Sequence, residues 1–204
     1  MYDIYEHRHR LAVWGAGRAY SRKGPGHTIA VAKHLIENSG LGAVSTPDHL
    51  PHPGEIDEFI HERIQAVIDA SQGVYYIKRG NGQLDTREAL VCTYGRAQKL
   101  VNMYLKIKIV CAGHHDHLRV KALHPPLDAV LLKALDLSIA IDHASDLKVF
   151  QGKLAVAKAL GKTWTKFDRP TYEAYIAAIR IFQGSQPLWA VERLWSPERE
   201  AVPV

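Results

Sequence analysis

The sequence predicts an all-α protein, on three observations. Apolar residues recur at three- and four-residue steps in stretches of 10 to 20 residues, the period of a helix with one buried face. Glycine, proline and capping residues punctuate the ends of those stretches. Strand-period runs are scarce, and strand and helix do not alternate regularly along the chain.

The first helix is expected over residues 3–22, with Ile4, Leu11, Trp14 and Ala19 as its apolar stripe and Arg8, Arg10, Arg18 and Arg22 around it. Lys23-Gly24-Pro25-Gly26 stops it. Thr28 opens a second helix through Ile29, Val31, Ala32, Leu35 and Ile36, closed by Ser39-Gly40. Residues 41–54 hold three prolines and two glycines and read as a loop. Ile56, Phe59, Ile60, Ile64, Val67 and Ile68 mark the next helix, ended by Gln72-Gly73. Val74 to Ile77 is rich in strand formers but too short to separate strand from helix. Gly80-Asn81-Gly82 is a turn, after which Asp85 or Thr86 caps a helix through about Val91. A hairpin candidate at Cys92 to Gly95 leads into a long helix to about Val110. Gly113 to His124 is a polar, histidine-rich loop. Helices follow from Asp128 to about Leu137, over Leu147–Leu160 and over Thr171–Phe182, with a last turn or two after Pro187 carrying Leu188, Trp189, Val191 and Leu194. The tail after Pro197 is expected to fray.

Composition sets the bounds. A chain of 204 residues with 47% apolar content fits one globular domain. Its net charge of +5 and pI near 9.2 permit a polyanionic partner without requiring one. Two cysteines, Cys92 and Cys111, are too few for a disulfide scaffold and fit a reducing cytoplasm. They also exclude a four-cysteine iron–sulfur cluster. Met1 to Arg10 has no apolar core of the kind a secretory signal needs, and no apolar run approaches a membrane span. Neither Gly-x-Ser-x-Gly nor a nucleotide-type glycine-rich loop is present.

The chemistry concentrates in two segments. In Leu123-His124-Pro125-Pro126-Leu127-Asp128, two prolines bar a helix and Asp128 stands at an N-cap. The helix dipole there favours its ionised form, which makes it either a plain cap or a stabiliser of developing positive charge. Upstream, helical geometry puts Arg96, Lys99, Asn102, Met103 and Lys106 on one face and Ala97, Leu100, Val101, Tyr104 and Leu105 on the other. The apolar set is the expected core face, so Lys99 is expected to point toward solvent or a cleft. A partly desolvated amine there is either a nucleophile or an ordinary helix lysine.

Together, Gly95-Arg96-Ala97-Gln98-Lys99 and Pro126-Leu127-Asp128 resemble the helix-hairpin-helix DNA glycosylases, over roughly residues 83 to 137. The Gln98-Lys99 pair and the long insert before the aspartate look most like the archaeal 8-oxoguanine glycosylase branch. Tyr94-Gly95-Arg96 stands where that superfamily's hairpin carries Gly-x-Gly. The resemblance implies a helical bundle in two lobes with a cleft between them. Residues 1–82 with helices 147–196 would form the helical lobe, and 83–137 the hairpin and catalytic helices, all in one domain over 1–204. It implies Asp128 as the catalytic aspartate that stabilises the sugar cation and helps drive the nucleophile, and Lys99 as Schiff-base nucleophile in a bifunctional enzyme, or as a phosphate or base contact otherwise. The partner would be double-stranded DNA with a flipped modified base, bound by a monomer in the cytoplasm, on the nucleoid. An oxidised purine is suggested by the branch alone. Neither cofactor nor metal is expected.

Further candidates follow from residue type. Gly95, Arg96, Gln98, Lys106, Arg8, Arg18, Arg22 and Lys23 are candidate DNA contacts, and Trp14 and Trp164 candidate walls of a base pocket. Cys111, His114, His115, His117 and His124 bring metal-ligand types into one loop, but without zinc-finger spacing. The reading from another class is a non-catalytic helical protein that binds nucleic acid or a partner through its basic N-terminal helix.

Overall fold

The computed structural model describes residues 1–20, 26–79, 84–138 and 147–196. The chain is mostly helical, as expected. Its elements are α1 (Ile4–Tyr20), α2 (Ile29–Asn38), α3 (Ile56–Ala70), β1 (Tyr75–Lys78), β2 (Thr86–Ala89), α4 (Tyr94–Leu105), α5 (Leu118–Lys121), α6 (Ala129–Ser138), α7 (Leu147–Leu160) and α8 (Arg169–Gln183). Short 3-10 turns fill the proline-rich stretch before α3, and a longer one, Leu188–Leu194, follows α8. Among the described residues, no helix is long and apolar enough to cross a membrane. Arg22, Lys23 and the Gly80-Asn81-Gly82 turn lie outside the described residues, as does the chain from 197 onward.

Local signals explain most boundaries. Thr28 caps α2 by accepting from the Val31 N–H at 3.2 Å. Asp168 caps α8 by accepting from the Thr171 N–H at 2.9 Å, with Pro170 in the first turn. Thr93 caps α4 through Arg96 N–H and also donates to Thr165 O at 2.6 Å, tying that cap to the loop before α8.

Three expectations are corrected. α1 does not bury Ile4, Leu11 and Trp14, which are exposed; it buries Ala12, Val13, Ala16, Gly17 and Tyr20. Close approach to α2 decides this, since a Cβ on Gly17 would lie 3.1 Å from the Ala32 methyl. Where a helix was expected from Asp85 or Thr86 to about Val91, the chain forms the strand β2 (Thr86–Ala89), paired antiparallel with β1 from Tyr75↔Ala89 to Lys78↔Thr86. A seven-residue helix has little stability of its own, and ladder bonds to β1 outweigh its cap signal. There is no hairpin at 92–95, because Tyr94 already begins α4. Beyond Leu105 that helix loosens into a π-helical stretch, Lys106–His114, which holds Gly113 at φ 93°.

One hydrophobic cluster runs from Ala12 through α2, α3, α4, α6, α7 and α8 to Val191. α4 lies at its centre, packed by α1 and α3, with the loop before α8 across its first turn. This central placement matters for the site. A helix covered on all sides must bury its polar face too.

Candidate active site

The site is built on α4 and on the strap that leads into α6. Pro125 and Pro126 keep the strap extended and leave it without N–H groups until Leu127. Gln98, one turn into α4, meets that residue with both ends of its side chain. Its Nε2 donates to Leu127 O at 2.8 Å, and its Oε1 accepts from Leu127 N at 3.2 Å. The next residue on each side is then brought into register. Lys99 Nζ donates to Asp128 Oδ2 at 2.8 Å.

Asp128 caps α6, its Oδ1 accepting from Leu131 N at 2.9 Å. Its Oδ2 also accepts from Trp195 Nε1 at 3.1 Å. The Lys99 side chain is 4% exposed and that of Asp128 15%. Burial opposes the charge on Asp128, but Lys99, the Leu131 N–H and the indole outweigh it and hold the carboxyl below the usual carboxylate range. Burial likewise lowers the Lys99 amine, and Asp128 only partly restores it. The pair therefore joins an ionised acid to an amine displaced toward its neutral, nucleophilic form.

A second charged pair adjoins it. Lys106 Nζ donates to Glu192 Oε1 at 2.7 Å, and the same ammonium stands 5.7 Å from the Trp195 ring. Glu192 Oε2 is buried with no hydrogen-bond partner, and burial raises this carboxyl above its ordinary value despite Lys106. Lys106, Glu192, Arg193, Trp189 and Cys111 line a mainly apolar groove of about 540 Å³. Lys99 and Asp128 are not in its lining. Trp195 connects the two regions, touching Asp128 and Lys106 alike, and it is 37% exposed.

The expected site residues fare unevenly. Lys99 and Asp128, 29 positions apart, come together, although Lys99 is buried rather than facing solvent. The polar face of α4 is covered by the strap and by residues 192–195, which the helical pattern alone does not reveal. Gly95 and Gln98 do not fit as DNA contacts. Gly95 is packed under the loop before α8 with its N–H given to Phe167 O at 3.1 Å, and Gln98 is fully buried. Arg96 is half-buried, its guanidinium 3.5 Å from Tyr20 O. Arg8 is half-buried over the Tyr5 ring, and Arg18 is exposed on α1. Lys106 lies beside the candidate pair. The tryptophan on Asp128 is Trp195, whereas Trp14 is exposed on α1 and Trp164 lies in the turn against Gly95. Glu192 and Trp195 carry no sequence signal, since only the return of the C-terminal segment brings them to α4.

Two chemistries lose support. Burial pushes the Cys92 thiol up to about 12, so it stays protonated. His124 is buried between Asp57 and Tyr172 and does not share a site with the exposed Cys111. Among the described residues, no group of three or more His, Cys, Asp or Glu side chains is placed to hold a metal. No protein-family model, curated protein or solved structure matches this chain.

Proposed function

We propose that this protein is a DNA glycosylase that releases a modified base and, through Lys99, opens the strand at the abasic sugar. The observation that carries this reading is the 2.8 Å contact between Lys99 Nζ and Asp128 Oδ2. A buried amine of lowered basicity against an ionised, capped carboxylate is the pair that this chemistry needs. A two-lobed helical arrangement with a cleft between the lobes belongs to the same proposal, without the hairpin at 92–95. So does the identity of the partner as duplex DNA, to which the positive net charge is suited.

The target nucleotide leaves the duplex, because its C1′ is out of reach within the stack. Binding parts Trp195 from Asp128 and joins the groove to the buried pair. As the glycosidic bond breaks, positive charge grows on the sugar, and Asp128 opposes it in a poorly hydrated setting. Lys99 bonds to C1′ through its free-base form, and the surplus proton of the new bond passes through Asp128 to the departing base. Ring opening gives the iminium. Loss of a C2′ proton expels the 3′ phosphate, and water then frees the lysine.

The test is a panel of duplexes, each with one modified base, scored for free base and for strand nicking. Release from any member supports the reading. Salt-sensitive binding without release from the whole panel would favour the non-catalytic nucleic-acid-binding module instead.

A further inference from the structure

Gln98 and the buried polar side chains behind it do something other than fill the core. The Gln98 amide pairs with both backbone groups of Leu127, as a neighbouring strand would. Gln98 is covalently next to Lys99, and Leu127 is next to Asp128. One two-bond clamp therefore sets the spacing between the amine and the acid.

The clamp is itself held by a chain of side chains that runs from α4 through α8 and the strap to α3. Asn102 Nδ2 lies 3.3 Å from Gln98 Oε1 and donates to the Tyr172 hydroxyl of α8 at 2.9 Å. The Tyr172 hydroxyl lies 2.9 Å from His124 Nδ1, in the strap. His124 Nε2 lies 2.9 Å from Asp57 Oδ1, in the first turn of α3. Arg180 closes the chain with contacts of 2.8 and 3.0 Å to the Asp57 carboxylate. Proton directions follow. Tyr172 accepts from Asn102, so its one proton goes to His124 Nδ1. The imidazole, kept neutral by burial, then carries its hydrogen on Nε2 and gives it to Asp57.

Gln98, Asn102, Tyr172 and His124 are all 3% exposed or less. Burying four polar side chains in a row is costly, and apolar residues of similar volume would pack as well. What apolar residues would not supply is a fixed orientation for Leu127, and through it for Asp128.

We infer that Gln98, braced through Asn102, Tyr172 and His124 by Asp57, is a positioning residue that sets Asp128 against Lys99. The inference rests on the proposed excision chemistry, but its geometry can be read without that chemistry.

The experiment uses two variants of the full chain, Gln98→Leu and Tyr172→Phe; the second removes one hydroxyl and keeps the ring. Borohydride trapping is followed in single turnover on a duplex with one abasic site, and the Kd for that duplex is measured alongside. Trapping should slow about 10- to 100-fold in Gln98→Leu, and less in Tyr172→Phe, with Kd nearly unchanged. A purely structural role would instead lower stability and leave the rate of folded protein alone. Folded variants that trap at the wild-type rate overturn the inference. If wild-type protein traps nothing, the lyase reading fails, and the clamp is judged by NMR of the Lys99 ammonium. Its titration should move in Tyr172→Phe, and an unmoved titration overturns the clamp.

Discussion

Asp128 receives three donors, Lys99 Nζ, the Leu131 N–H and the Trp195 indole, and each can be separated from the others by substitution. Asparagine at 128 keeps a good helix cap and an acceptor for Lys99 but loses the charge. On the proposed function, Asp128→Asn should therefore fold and keep duplex binding, while base release falls about 10²- to 10³-fold. Retained release would count against the proposed role. Lys99→Gln should form no borohydride adduct. It also removes the charged one of the three donors to a partly buried carboxylate, so urea unfolding should show a loss of about 1–3 kcal/mol. An adduct that survives this substitution would move the nucleophile elsewhere. Asp128 and Lys99 were readable as candidates through the motif resemblance of residues 95–99 and 126–128, since the residue pattern alone fits a plain cap and an ordinary helix lysine equally. Burial of Lys99 was not readable, because the i, i+3, i+4 pattern of α4 describes a helix with one wet face, and this helix has none.

Among the elements, the first turn of α4 has the tightest constraint. A Cβ on Gly95 would come within 1.8 Å of Trp164 O, which is backbone and cannot rotate aside. Gly95→Ala should destabilise by about 3 kcal/mol or more, and the shift of α4 should disturb Lys99 one turn later. Gly152, in α7, meets nothing within 4 Å, so Gly152→Ala should be neutral or stabilising by up to about 1 kcal/mol. Equal melting temperatures for the two variants would refute the close packing at Gly95. Element ends were legible where a cap or breaker decides them: Thr28 for α2, Asp128 for α6, and Gly161 just beyond α7. The β1–β2 ribbon was not legible, since four-residue strands owe their existence to each other. The glycine of the supposed hairpin reads differently once the loop before α8 is seen lying on it.

For the whole molecule, buried titratable groups tie stability to pH. Burial keeps His124 and His61 below the ordinary imidazole value, so the unfolded chain binds protons that the folded chain refuses. Stability should fall as the pH drops through about 6.5. The hydrogen bond from His124 is the main cause that holds Asp57 below the usual carboxylate range, and Asp128 is lowered as well. Their contribution is complete above about pH 4 and disappears as pH falls through the folded values. Urea midpoints should show both losses, and His124→Gln should flatten the upper one. A midpoint flat between about pH 7.5 and 5.5 in wild-type protein would contradict a neutral, buried His124. The sequence by itself determined a mostly helical chain, its caps and breakers, and the two side chains worth testing. The first two follow from local backbone sterics and from the period of the apolar residues, and the last from a motif resemblance. Only the tertiary structure decided that α4 is enclosed, that Gln98 clamps Leu127, and that Trp195 and Glu192 return to the same place. Those are contacts between residues far apart in the chain, and no local preference encodes which distant surfaces will cover one another.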